Sequence, residues 1–267
     1  LVLSCDAYSA LWGDFFNLRD KYWPDCPYKW YLVTESKDFQ RDGVEVIKCG
    51  KDFNWAGRLR YALHLVDTKY VGIYLEDYFI SAKVDNARIE KMLILMEKDG
   101  ISTINVGDVF EWIISQQPSK EYYAEHLIKI PAHLRWGLST ESTIWNKQYL
   151  LDTLGVGDYS AWQFEIDRCK QAASEDGFPG INLCDELQAF NVSTTPVVIQ
   201  GAFYPEAIKK FHKLGYDIDT SRFPVMSMKK VILYKMKCFT AELKHGKKFF
   251  KWIGRHIFRM KFFSDSL

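Results

Sequence analysis

Residues 68–81, TKYVGIYLEDYFIS, carry an apolar, β-branched and aromatic run that ends abruptly in two adjacent acids, Glu76 and Asp77, and resumes with Tyr78, Phe79 and Ile80. Such a run reads as a buried strand. Two ionised carboxylates at its end repel each other and must shed water, unless a cation or a protonated partner compensates them. Hard oxygen ligands on a rigid strand suit Mg²⁺ or Mn²⁺, and those ions commonly serve phosphate groups. Nucleotide chemistry is therefore the first expectation, with Asp77 as the direct ligand and Glu76 beside it.

The first half of the chain alternates short apolar runs with amphipathic segments. Residues 1–8 (LVLSCDAY), 28–34, 44–49 and 101–106 are strand candidates, while residues 9–21, 55–66 and 84–98 read as helices, the first stopped by Trp23-Pro24-Asp25. Strands separated by helices imply parallel βαβ units, and so an α/β fold with a mixed, mainly parallel sheet flanked by helices. Ligands in such sheets collect beyond the C-terminal strand ends, which is where Asp6, Glu35 and the Glu76-Asp77 pair fall. The second half is less regular. Residues 133–145 (HLRWGLSTESTIW) predict one strand or two short ones, 147–154 a short helix, and 161–173 a longer one after the turn Gly155-Val156-Gly157-Asp158. A late strand is expected over 195–200 and a helix over 204–214, opened by Pro205-Glu206 and closed by Gly215.

At 267 residues and 48% hydrophobic, the chain can bury a substantial core, expected as one domain (1–227) plus a tail (228–267). Six cysteines at 5, 26, 49, 169, 184 and 238 show no CxxC pair and no closely spaced histidine, which argues against zinc and a dense disulfide framework and for a reducing cytoplasm. No apolar run approaches the roughly 18–20 residues that span a bilayer, and no signal-peptide pattern is seen. The chain opens on a strand already under way without an initiator Met, so a few native N-terminal residues are expected to be missing.

The near-zero net charge hides a division. Residues 228–267 hold eleven Lys and Arg against two Asp and Glu, which leaves 24 against 32 for residues 1–227. Within the tail, Lys244, Lys247 or Lys248, Lys251, Arg255 and Arg259 form a basic stripe at helical spacing, opposite Phe249, Ile253, Ile257 and Met260. A helix of this kind lies in the interface of an anionic bilayer, gaining about 1 kcal/mol per basic residue near the surface; packing on the body or on a second subunit is the plainer alternative. Nucleic acid is not an expected partner, because the acidic body repels phosphate backbones.

The order of SCDAY (4–8), WAGRLRYAL (55–63), KYVGIYLEDYF (69–79), STIWNKQYL (142–150) and AWQFEI (161–166) resembles a group of bacterial sugar transferases with the GT-A fold, typical of capsule and lipopolysaccharide gene clusters, over roughly residues 1–225. In that fold a strand ending in DxD or DD holds a divalent ion, Mn²⁺ or Mg²⁺, against the diphosphate of a nucleotide-sugar donor. Glu76-Asp77 departs from that motif by one methylene. The resemblance places Arg58 near the donor diphosphate or sugar, where a guanidinium binds phosphate bidentately; Arg60 competes for that part, and a surface helix arginine is the bland alternative. It places Asp6 and Tyr8 at the donor base and ribose, although Asp6 equally suits a helix cap.

Inverting transfer needs a general base at the acceptor hydroxyl. Two carboxylates qualify, Asp158 in the GVGD turn and Glu165 between Trp162 and Phe164, whose apolar setting favours it. A helix cap and a salt bridge with Arg168 are their structural alternatives. One of Trp136, Trp145 and Trp162 is expected to touch the acceptor sugar, although aromatics are more often core. The implied protein is a cytoplasmic glycosyltransferase, peripheral on the inner face of the cell membrane, acting on a lipid-linked or polysaccharide acceptor. The rivals are a sugar nucleotidyltransferase, which would show a glycine-rich phosphate loop near the first strand, and a non-catalytic carbohydrate-binding scaffold at the membrane. GxSxG, P-loop, GxGxxG and HExxH signatures are absent from the sequence.

Overall fold

A computed structural model describes residues 1–107, 120–193 and 196–242, in two compact units, Leu1–Val197 and Val198–Leu267. The first unit contains β1 (Val2–Leu3), β2 (Trp30–Thr34), β3 (Val44–Lys48), β4 (Tyr70–Leu75), β5 (Thr103–Asn105), β6 (Tyr122–Ala124), β7 (Leu127–Lys129), β8 (Thr143–Asn146) and β9 (Asn182–Asp185). Its helices are α1 (Trp12–Tyr22), α2 (Trp55–Leu65), α3 (Asn86–Asp99), α4 (Lys147–Leu154) and α5 (Ala161–Ala172). The strands form one sheet in the order β3-β2-β1-β4-β8-β5-β9-β7-β6.

β1 pairs in parallel with both β2 and β4. The chain first builds outward through β2 and β3, then crosses by α2 to β4 on the other side of β1. The strand order therefore reverses at β1, and in open α/β sheets ligands collect at such a point, beyond the C-terminal strand ends. The parallel expectation holds for these four strands. Beyond them the sheet is mixed, because β8 enters antiparallel between β4 and β5, reached by a loop rather than by a crossover helix.

Period-2 alternation sorts the strand side chains onto two covered faces. Leu1, Leu3, Val33, Val71 and Ile73 pack with Trp55, Leu59, Leu63, Leu150 and Phe164 of the α2, α4 and α5 layer. In a second aromatic cluster, Trp30 stacks on Tyr74 at 5.5 Å, and Phe15 and Phe16 of α1 meet Trp30 edge-on at 6.1 Å. Each such side chain contributes about 1.5–3 kcal/mol by burial. Short polar residues start the helices: the side chains of Asn54, Asp85, Asn146 and Ser160 accept from backbone amides of α2, α3, α4 and α5.

Three differences from the sequence expectation have local causes. Residues 1–8 are not one strand: after the last ladder bond, from Ser4 N–H to the Val33 carbonyl, residues Asp6–Leu11 coil into a 3₁₀-helix. The Ser4 hydroxyl accepts from Trp12 Nε1 at 2.7 Å, and this bond forms only once the chain has turned. Residues 133–145 are mostly turns, with Trp136 at φ 64°, and only β8 is extended. β6, β7 and β9 are three or four residues long, too short to impose a period.

The second unit opens with a hairpin of β10 (Val198–Ile199) and β11 (Ala202–Phe203), followed by α6 (Pro205–Lys213) and α7 (Met228–Glu242). Pro205 occupies the first turn of α6, and Lys235 of α7 pairs with Glu206 of α6. The boundary thus falls after Val197, where 227/228 was expected from charge. Residue 195 of the expected strand and the basic tail from Lys244 lie outside the described residues.

Arg88 of α3 reaches fully buried Asp185 at the end of β9, with Nε donating at 2.7 Å, while the amides of Leu187 and Ala189 complete that carboxylate. Arg88→Ala strands this buried charge and is expected to cost about 3–5 kcal/mol in urea denaturation. A loss under about 1 kcal/mol would show that the pair does not tie α3 to the sheet.

Candidate functional site

Glu76 and Asp77 occupy a turn directly after β4, closed by a bond from Tyr78 N–H to the Leu75 carbonyl at 3.2 Å. Glu76 is buried and Asp77 half-buried. Burial, then repulsion from Asp77, pushes the Glu76 carboxyl well above the usual range, opposed by the Ser4 hydroxyl and the Arg58 charge. Burial likewise pushes Asp77 up. The backbone carbonyl of Asp77 accepts from Val197 N–H at 2.8 Å, which fixes the turn.

Beyond the ends of β1 and β2, a polar web ties the first strands together. The Asp6 carboxylate accepts from the Ser36 and Lys37 amides, each at 3.1 Å, and from the Ser36 hydroxyl at 2.5 Å. Burial works against its charge, but these bonds outweigh it and lower Asp6 to about 2. Asp6 N–H in turn donates to Glu35 Oε2 at 3.0 Å. Arg58 Nη1 donates to Glu35 Oε1 at 3.2 Å and to the Phe53 carbonyl at 3.3 Å, while its buried Nε has no protein partner. Tyr8 is half-buried, and burial together with the charges of Asp77 and Glu76 raises its hydroxyl pKa. Asp6, Tyr8, Arg58, Glu76 and Asp77 thus gather at one end of β1 and β4.

On the other side of the acid pair, the Tyr78 hydroxyl donates to Glu141 Oε1 at 2.7 Å. Burial first, then the charges of Glu141 and Asp77, raises Tyr78 far above a normal phenol, and Glu165 adds to this. Glu141 rides on the 139–142 loop just before β8. Its amide donates to Ser139 Oγ at 3.1 Å, and its carbonyl accepts from Asn105 Nδ2 at 3.2 Å and from the Thr143 hydroxyl at 2.6 Å. Ser142 adopts φ 27° with its hydroxyl buried and unpartnered. A Cβ on Gly107 would come within 2.7 Å of Ser142 Cβ, so the strained turn requires glycine there. Glu165 Oε1 accepts from the Thr140 amide and hydroxyl at 3.1 Å each and from the Ser139 hydroxyl at 3.3 Å. Burial raises Glu165, and those donors oppose the rise.

Asp158 does something else. Its two oxygens accept from Asn54 N–H and Gly57 N–H at 2.8 Å, capping the N-terminus of α2. Any Cβ at Gly57 would sit 2.7 Å from Asp158 Oδ1. Arg60 donates to the carbonyls of Gly155 and Gly157. Both residues therefore hold the 155–158 turn onto α2: the cap foreseen for Asp158 exists, on α2 rather than on the helix that follows it. Trp145 is 1% exposed and packs on Tyr149 and Phe164, so no acceptor sugar reaches its ring. Trp136 is half-buried, its amide donating to Cys169 Sγ at 3.3 Å, and Trp162 is 65% exposed. Tyr78 and Glu141 were not singled out from sequence. Tyr78 adjoins the acid pair and so carried a signal, whereas Glu141 in a Ser/Thr-rich stretch carried none.

Among the described residues, no three His, Cys, Asp or Glu side chains converge as a metal-ligand set. No described helix is long and apolar enough to cross a membrane. No family model matches the chain, and no curated protein matches it. One solved structure similar to part of it is that of the bifunctional IspDF from Campylobacter jejuni, at 14% identity and a TM-score of 0.32, over 59% of this chain and 39% of that one.

Two outcomes follow from the braces. Asp158→Ala removes the α2 cap and is expected to cost about 1–2 kcal/mol in chemical denaturation, where no loss would count against the cap. Asp6 is depressed in the fold, so its contribution is complete above its ordinary value of 3.8 and lost as pH falls toward about 2. Asp6→Asn is therefore expected to flatten the pH dependence of stability between those values, and an unchanged acid limb would refute the brace.

Proposed function

We propose that the protein is a GT-A-type glycosyltransferase, of the kind found in capsule and lipopolysaccharide gene clusters, moving a sugar from a nucleotide-diphosphate donor to a surface polysaccharide or its lipid-linked precursor. The observation that carries this reading is the position of Glu76 and Asp77 at the end of β4, beside β1, where the strand order reverses. A crevice at that point is where open α/β sheets take nucleotides. The Tyr8 ring offers a stacking face for the base, and Arg58, with an unpartnered Nε, offers a fork for phosphate oxygens.

A divalent ion suits the acid pair in one respect: both carboxyls are pushed up by burial, and a cation would relieve that cost. Two acids, rather than a closed cage, suit Mg²⁺ or Mn²⁺ that keeps water and donor-phosphate ligands. Such an ion would neutralise charge on the departing diphosphate. Asp77, the more open of the two, is the preferred ligand, and Glu76 completes the donor pocket. The acceptor lies toward Tyr78, where a carboxylate activates its hydroxyl and Trp136 or Trp162 offers a sugar-stacking face. The basic stripe of the tail supports attachment to an anionic membrane surface. The nucleotidyltransferase reading is weaker, because the only glycine in residues 1–20, Gly13, lies inside α1.

Thermal unfolding with a panel of UDP-, GDP- and dTDP-sugars tests this, with and without Mn²⁺. One donor is expected to raise the wild-type Tm by several degrees at saturating concentration, only with Mn²⁺, and Asp77→Ala is expected to abolish the shift while the protein stays folded. A folded wild type indifferent to every donor would overturn the reading.

A further inference from the structure

Resting on the glycosyl-transfer reading, we propose that Trp162 is the platform on which the acceptor's terminal pyranose stacks, and that Trp136 is an anchor of the loop beside it. The distinction comes from where each indole stands along α5. Helix positions three, four and seven apart share one side. Trp162, in the first turn of α5, is therefore followed on that side by Glu165 and Cys169. Residues 136–140 run along the same side in the opposite direction. The Trp136 amide donates to Cys169 Sγ at 3.3 Å, and the Thr140 amide and hydroxyl reach Glu165 Oε1 at 3.1 Å each.

After Thr140 the chain leaves α5. Glu141 follows, accepting from the Tyr78 hydroxyl at 2.7 Å, and Thr143 enters β8 opposite Ile73. Trp162, the next position along the stripe, is thus left uncovered by the loop: Cys169 is 1% exposed and Trp162 65%. It stands about 4.5 Å of helix rise from Glu165, at the end where Glu141 and Tyr78 meet beside Asp77. On its other flank the start of α5 is tied to α2, because Ala56 N–H donates to the Tyr159 carbonyl at 2.9 Å and Asp158 caps the helix that carries Arg58. A second ring shares this rim: Phe53, 39% exposed, lies against Gly57 with Asp158, and its carbonyl accepts from Arg58.

Trp136 lies about 10 Å of rise away, at Cys169. Its φ of 64° is strained for a bulky residue, and packing holds it there. Gly137 N–H donates to the Leu134 carbonyl at 3.0 Å, a Cβ on Gly137 would come within 2.7 Å of Ile130 Cγ2, and Leu138 is buried. That packing accounts for Trp136 without a ligand. A pyranose suits the Trp162 end, since its CH face stacks on an exposed indole while its hydroxyls donate toward carboxylates such as Glu141.

The test reads sugar binding and donor binding separately. Methyl glucoside, galactoside, mannoside and N-acetylglucosaminide are each added at millimolar concentration to the full chain, and saturation-transfer NMR records which ring CH protons touch the protein. At least one is expected to show contact in wild type. Trp162→Ala is expected to weaken that pyranoside about tenfold, with Tm unchanged because the residue is exposed and with the donor's thermal shift intact. Trp162→Phe is expected to keep most of the affinity. Trp136→Ala is expected to lower Tm and to leave the affinity within about threefold, and Trp136→Phe serves if it does not fold. Affinity of Trp162→Ala within about twofold of wild type overturns the platform. So does a wild type that touches none of the four pyranosides, or a loss that follows Trp136 rather than Trp162. Sugar contact that depends on Trp162, in a protein that no nucleotide sugar stabilises, keeps the platform and removes the glycosyl-transfer reading.

Discussion

Glu76 leaves water where β4 leaves the sheet, with another carboxylate beside it, and its surroundings compensate only in part. Ser4 offers a hydroxyl and Arg58 a positive charge, yet burial still dominates and holds the carboxyl above its usual range. That residual cost organises the region. β1 ends at Leu3, which leaves the Ser4 hydroxyl for Glu76, α2 presents Arg58 toward the strand ends, and Glu35 meets that guanidinium. An uncompensated charge pair is a poor way to stabilise a fold and a good way to create affinity for a cation or a proton donor.

Around this pair the protein uses other acids as fasteners. Asp6 joins the end of β1 to the turn after β2, Asp158 caps α2 from a loop a hundred residues away in sequence, and Asp185 accepts Arg88 under α3. In each case backbone amides, a hydroxyl or a guanidinium satisfy both oxygens. A carboxylate saturated in this way has little left for a substrate. Glu165 is held in the same way on one oxygen, where Oε1 takes the donors of the 139–140 loop.

Much of the first half was legible in sequence because its elements are long enough to show a period. α2 and β4 fall close to where their patterns place them. The second half was less so. Residues 133–145 look extended from composition, yet Trp136 and Ser142 take positive φ and the stretch becomes turns. Turns of that kind are stabilised by contacts with Cys169, Glu165 and Asn105, none of which is near in sequence.

The sequence by itself determined that two acids would stand at the end of a buried strand, since an apolar run interrupted by Glu76-Asp77 leaves no other place for them. It also determined the α/β class, because the alternation of strand and helix patterns rests on spacing within ten or so residues. Only the tertiary structure decided which acids stay near that pair and which are consumed as braces. Asp158, a candidate base or a helix cap by sequence, has α2 amides on both its oxygens, and Glu141, which carried no signal in the sequence, meets the Tyr78 hydroxyl. Hydrogen-bond saturation depends on partners from distant segments, and no local pattern of residues encodes it.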